Sequence, residues 1–246
     1  MKPTRLLAAT TTPDGTRLEL LAHDHDRIIR VAGQELMSTR QHRSEERLGE
    51  VAVAALAGMP RPRVLVGGLG MGFTLRAVLA GLPPGALVTV AELLPAVVAW
   101  NRDPALGLAA DCLADPRVTV FEGDVGDLLA RPRVAFDAVL MDVDNGTDAL
   151  TVGSNERLYR SAGVGLVRRA LARDGIAVWW SAHQDRAFAA LLADSGFAVE
   201  VERVVPHARA KQATHVLFIG RPAPSRPSGA AAAPRRTSPG AEARRR

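Results

Sequence analysis

An apolar strand running into a glycine-rich turn constrains this chain more than any other feature. Residues Val64 to Thr74 read Val-Leu-Val-Gly-Gly-Leu-Gly-Met-Gly-Phe-Thr, and the next apolar run, from Ala86, ends on Glu92. Glu92 follows Gly72 by 20 residues. A strand, a glycine turn, a helix and an acid closing the next strand form the layout of a nucleotide-binding βαβ unit. Glycine lets the backbone turn tightly and lets a ligand approach the main chain. A carboxylate at a strand's end can accept hydrogen bonds from both hydroxyls of a ribose, which disfavours a 2′-phosphate and hence NADP. The unit therefore predicts an adenosine-like ligand at Gly67, Gly68, Gly70, Gly72 and Glu92.

The rest of the chain repeats this alternation. Strands are expected over Arg63–Gly67, Ala86–Glu92, Arg117–Phe121, Phe136–Asp142, Gly175–Ser181, Phe197–Val204 and Thr214–Gly220. Helices are expected over Gly72–Ala80, Pro95–Asn101, Gly126–Ala130, Asn155–Ala172 and Gln184–Ser195. Strand and helix in turn give an α/β fold, a doubly wound, mostly parallel seven-stranded sheet with helices on both faces. Runs such as Val-Leu-Val and Ala-Val-Leu-Met are apolar throughout, as strands buried on both faces must be. Only a loop, Pro206 to Ala213, separates the last two strands, so the final one is expected antiparallel. Upstream, Arg17–Ala22 and Arg27–Ala32 read as a small hairpin, and a helix is expected from Ser44 to about Ala57, with Ser44 as its cap and two acids at the positive end of its dipole. The expected organisation is a small β element over 1–43, a Rossmann-like domain over 44–220 and a disordered tail over 221–246.

Charge supports that division. The chain of 246 residues is formally +5, yet residues 221–246 hold seven arginines against one acid, Glu242. That segment carries +6, which leaves residues 1–220 at about −1. The tail is rich in Pro, Ala, Ser and Arg and has little to bury. A near-neutral body argues against nucleic acid as its partner. No apolar run is long enough to span a bilayer, and Cys112 is the only cysteine, so a cytoplasmic location without a membrane is expected.

Acids at strand ends are the further candidates, because ligands in open α/β sheets bind beyond the carboxyl ends of the strands. Asp124, with Val125 beside it, follows the third strand and can accept from an adenine amino group or cap the next helix. Asp142 ends the fourth strand and can take a proton from an amine nucleophile. Asp144 and Asn145 follow it as candidate substrate contacts. The six histidines show no metal spacing, and no metal is expected. Ser181 has no partnered histidine and acid, so a hydrolase triad lacks support.

Four motifs in order, Val-Gly-Gly-Leu-Gly-Met-Gly, Val-Ala-Glu-Leu-Leu-Pro, Glu-Gly-Asp-Val and Phe-Asp-Ala-Val-Leu-Met-Asp-Val-Asp-Asn, resemble the spermidine synthase (polyamine aminopropyltransferase) family. That family shares the fold class of the S-adenosylmethionine-dependent methyltransferases. The resemblance covers about residues 30 to 220. It implies Glu92 on the ribose, Asp124 on the adenine, and Asp142 as proton acceptor from the attacking amine. It also implies an amine among small-molecule acceptors, and a homodimer.

Three departures stand out. Gly70 occupies the aspartate position of the family's glycine loop, Leu48-Gly49-Glu50 stands for its Tyr-His-Glu, and Asn145-Gly146 for a later Asp-Pro. An aspartate would repel the carboxylate of intact S-adenosylmethionine by a few kcal/mol at an effective dielectric near 20. Glycine removes that repulsion and leaves backbone N–H groups free for an anion. The expectation is thus methyl transfer from S-adenosylmethionine to a small molecule or peptide. The alternatives are aminopropyl transfer from decarboxylated S-adenosylmethionine and a non-catalytic adenosyl binder. An NAD dehydrogenase is weaker, for the loop is not a clean Gly-x-Gly-x-x-Gly and no nicotinamide site is evident.

Overall fold

The computed structural model describes residues 3–12, 15–132, 134–143, 155–207, 210 and 212–223. It contains two sheets. The smaller is an antiparallel meander of β1 (Arg5–Thr11), β2 (Arg17–His23), β3 (Asp26–Val31) and β4 (Gln34–Ser38), in that spatial order. Only its central hairpin is marked in the sequence pattern. β1 is largely exposed and β4 is short, so neither shows the apolar alternation that marks a half-buried strand. Two-residue turns close β2 on β3 and β3 on β4. Asp24 takes φ 54° in the first, and Ala32 and Gly33 take φ 48° and 82° in the second.

The larger sheet runs β10-β11-β9-β8-β5-β6-β7, with β5 Arg63–Gly67, β6 Leu87–Glu92, β7 Val118–Glu122, β8 Phe136–Met141, β9 Leu171–Ser181, β10 Phe197–Val204 and β11 His215–Pro222. The pairs within β9-β8-β5-β6-β7 are parallel, while β11 lies antiparallel between β9 and β10, as expected. The α/β, mostly parallel seven-stranded reading therefore holds. The chain builds outward from β5 to β7, then returns to place β8 on the other side of β5. This makes the carboxyl ends of β5 and β8 the switch point where such sheets bind ligands.

Alternate residues of each central strand feed different layers. Val64 and Val66 pack with Leu48 and Val51 of α1 (Arg43–Ala55) and Leu75 and Val78 of α2 (Phe73–Gly81). Leu65, Val139 and Trp179 face the other layer, with Leu129 of α5 (Val125–Ala130), Val164 and Val167 of α6 (Ser161–Ala170), and Phe188 of α7 (Arg186–Asp194). The small sheet has its own core. Leu18, Leu20, Ile29 and Val31 meet Met71, Leu94, and Val97 and Trp100 of α3 (Pro95–Arg102). A short α4 (Ala110–Leu113) completes the helices among the described residues.

Two local expectations are corrected. Ser44 is not the cap of α1: His42 holds that position without a side-chain bond, and Ser44 lies fully buried within the first turn. The single helix expected over 155–172 is a 3-10 turn over Asn155–Tyr159, then α6, with β9 starting at once. Arg160 is extended at φ −98°, ψ 169°, and the turn packs so closely that a Cβ on Gly163 would lie 2.4 Å from Cα of Leu158. The tail expected to be disordered lies outside the described residues from 224 onward.

Candidate active site

The strand ends are tied together by backbone bonds. Gly68 N–H donates to the Ala91 carbonyl at 2.8 Å, and Asp142 N–H to the Gly67 carbonyl at 2.7 Å. Gly68 has φ 98°, and a Cβ there would sit 2.0 Å from the Asp142 carbonyl oxygen. Only glycine lets the loop run against the end of β8, and that approach sets Asp142 beside the loop. Gly70, at φ 52°, faces Met37 of β4, whose Sδ would lie 3.1 Å from a Cβ. The space a side chain would use at position 70 thus already belongs to the small sheet.

Glu92 ends β6 with 8 % exposure. One carboxylate oxygen accepts from Leu94 N–H at 2.9 Å and the other from Leu69 N–H at 3.0 Å. The acid therefore pins the glycine loop to its own strand end, and each oxygen keeps accepting capacity toward a ligand. Burial pushes its pKa up, and the backbone donors, Leu94 first, hold it back. Asp124 caps α5 by accepting from Gly126 N–H at 2.7 Å, and its second oxygen pairs with Arg157. Asp142 accepts from the Thr74 hydroxyl at 2.6 Å. Burial is the main cause that raises its pKa to about 6; the Glu92 charge adds to this, and the Thr74 bond opposes it.

These groups border a cleft lined by Gly68, Gly70, Glu92, Asp124, Val125 and Asp142, with Leu18, Ile29 and Met37 of the small sheet as its far wall. Gly67 and Gly72 stand behind it, ending β5 and preceding α2. A second, larger cavity is lined by Glu35, Arg40, Glu45, Trp180, His207 and His215, and shares Asp142, Val143 and Met37 with the first. Asp142 thus stands where the two spaces meet. Asp144 and Asn145 lie outside the described residues. Trp179 is buried edge-on to Phe197, whereas Trp180 meets the His215 ring at 5.0 Å beside the larger cavity.

Glu45, which local sequence marks only as a first-turn helix acid, is a further functional candidate. Burial, then the nearby Asp142 charge, raises its pKa to about 7, opposed by the Ser44 hydroxyl. That hydroxyl contacts the Glu45 carboxylate and lies 2.8 Å from His215 Nδ1; burial lowers the pKa of His215. Leu48-Gly49-Glu50 plays no part here. Leu48 is core, Gly49 packs on Ala77, and Glu50 pairs with Arg43 at 2.6 Å. Among the described residues no group of three or more His, Cys, Asp or Glu is placed to hold a metal ion. No helix among them is long and apolar enough to cross a membrane.

No family model matches the chain. It is 35% identical over 170 residues to polyamine aminopropyltransferase 2 of Streptomyces coelicolor, an alignment over 68% of this chain and 27% of that protein. It is 37% identical over 125 residues to polyamine aminopropyltransferase 1 of the same organism, over 49% of this chain and 22% of the relative. The chain thus spans about a quarter of the length of the curated relatives it matches. Among solved structures, spermidine synthase from Thermotoga maritima superposes with a TM-score of 0.67 at 14% identity, covering 88% of this chain and 72% of that one. A spermidine synthase in complex with the transition state analogue AdoDATO gives 0.66 at 15%, over 88% and 72%. A probable spermidine synthase from Corynebacterium glutamicum gives 0.61 at 17%, over 90% and 81%. At such identities the structures speak for the fold.

These relatives overturn the methyl-transfer expectation, since they carry the name of aminopropyl transfer. A side chain at position 70 would meet Met37 of β4, so glycine there answers to packing against the small sheet and does not report the charge of the donor. In its sequence motifs and its Rossmann-like methyltransferase-type fold, this chain is spermidine synthase-like.

Proposed function

We propose that the chain is an aminopropyltransferase that moves an aminopropyl group from decarboxylated S-adenosylmethionine to a small amine. The observation that carries this reading is the place of Asp142, between the cleft at the glycine loop and Glu92 and a larger cavity that Glu35 and Glu45 help to line. The names of the curated relatives support it.

The cleft suits the adenosyl donor. Gly68 and Gly70 leave main chain open to a ligand where a Cβ would intrude, and Glu92 keeps accepting capacity for ribose hydroxyls. Asp124 and Val125 border the adenine end, where an amino group competes with Arg157 for Asp124. When bound, the donor supplies a carbon activated by sulfonium, which the acceptor nitrogen attacks as the C–S electron pair returns to sulfur. An amine in water is an ammonium with no free lone pair. Asp142, with its pKa raised to about 6, removes that proton better than an ordinary carboxylate would, and Glu45 adds negative charge that draws the cation in.

Incubation of the protein with a panel of amines and either donor, followed by mass spectrometry, tests this. A gain of one aminopropyl unit, only with decarboxylated S-adenosylmethionine, is expected. Binding of that donor without product across the panel overturns the proposal.

A further inference from the structure

Thr74 lies on the first turn of α2, directly behind the glycine loop, and is 2 % exposed. Its hydroxyl oxygen is 2.6 Å from Oδ2 of Asp142 and 3.1 Å from the backbone carbonyl of Glu45. A threonine hydroxyl has one proton to give and lone pairs with which to accept. An ionised Asp142 and a carbonyl are both acceptors, so the single proton serves one of them at a time. Protonation of Asp142 reverses the arrangement. The acid then donates to Thr74 Oγ1, and Thr74 turns its own proton to the Glu45 carbonyl, which satisfies all three groups.

We propose that Thr74 is the positioning residue of the proton-accepting acid: it holds Oδ2 of Asp142 while Asp142 is ionised, and redirects its proton to the first turn of α1 once Asp142 is protonated. The source of that proton, an acceptor ammonium, rests on the aminopropyl-transfer reading; the geometry does not. The ammonium becomes a free amine with its lone pair, Asp142 becomes a neutral acid, and no further reactant is consumed.

The surroundings give this bond its weight. Asp142 shares its cleft with Glu92 from the end of β6 and Asp124 from the start of α5, and the larger cavity with Glu45 of α1, Glu35, Arg40, His207 and His215. Acids outnumber the one arginine in this set, so these neighbours together favour a proton on Asp142. Hydrogen bonds to an ionised group are stronger than those to a neutral one. Thr74 therefore favours the ionised form, against its neighbours, and keeps the acid ready as a base.

The test is a carboxyl titration by carbon-13 NMR of aspartate-labelled protein, with Asp142→Asn identifying the signal. Thr74→Val is expected to raise the Asp142 midpoint by about one unit, because the ionised form loses its donor. Thr74→Ser, which keeps the hydroxyl, is expected to stay close to wild type. Should the valine variant fail to fold, Thr74→Ala must move the midpoint in the same direction. In turnover, the acid limb of kcat/KM is expected to follow these midpoints. An unmoved midpoint without the hydroxyl, or a serine variant shifted as far as the valine one, overturns the proposal. The titration needs no turnover, so a wild-type protein that makes no aminopropylated product removes the functional reading and leaves Thr74 to be judged separately.

Discussion

Asp142 and Glu45 are two half-buried carboxylates that border one cavity, and each is held by a hydroxyl from the start of a helix, Thr74 and Ser44. Each has a pKa raised above its ordinary value, from 3.8 to about 6 and from 4.5 to about 7. The folded state then binds more protons than the unfolded chain between about pH 4 and pH 7, so stability falls as pH rises through that window. Glu45→Gln and Asp142→Asn are each expected to stabilise the unliganded protein at pH 8 by on the order of 1–2 kcal/mol, and hardly at pH 4. Thermal melts at the two pH values check this; equal effects at both would refute it. Asp142 was legible as a strand-end acid from its apolar run. Glu45 was not, because its role depends on α1 packing beside β8, which no local pattern encodes.

At the scale of elements, apolar periodicity and punctuation located most of the larger sheet. β5 and β10 fall on their expected bounds, and β6, β7 and β8 within a residue. The failures have separate causes. β1 and β4 lack alternation, whereas the helix expected over 155–172 is interrupted at the extended Arg160 and ends at Ala170, and the tight approach of Gly163 to Leu158 across that break is a tertiary contact invisible to periodicity. The turn between β3 and β4 offers a test of local strain. Ala32 is exposed at φ 48°, a left-handed conformation that costs an L-residue about 1–2 kcal/mol. Asparagine tolerates that region and with Gly33 forms a favoured hairpin turn. Ala32→Asn is expected to raise stability by about 0.5–1 kcal/mol in denaturant titration.

Across the whole molecule, the small sheet is a wall of the site. It packs on α3 through Leu18, Leu20, Ile29 and Val31 against Trp100, and that contact brings Leu18, Ile29 and Met37 to the cleft. Trp100→Ala is expected to cost about 3–5 kcal/mol and to speed hydrogen exchange in β2 and β3 ahead of the central strands. Weaker binding of the proposed adenosyl donor should follow; unchanged protection of those strands would disprove the link. The sequence by itself determined the strand-and-helix alternation, the glycine loop and the acids at the strand ends, because backbone freedom and burial on two faces are written in local residue types. The tertiary structure alone decided that Met37 occupies the space beside Gly70, that Glu45 joins Asp142, and that Arg157 pairs with Asp124. Those relations join residues 33, 97 and 33 positions apart, and close packing, not local pattern, sets the fields and clashes between them.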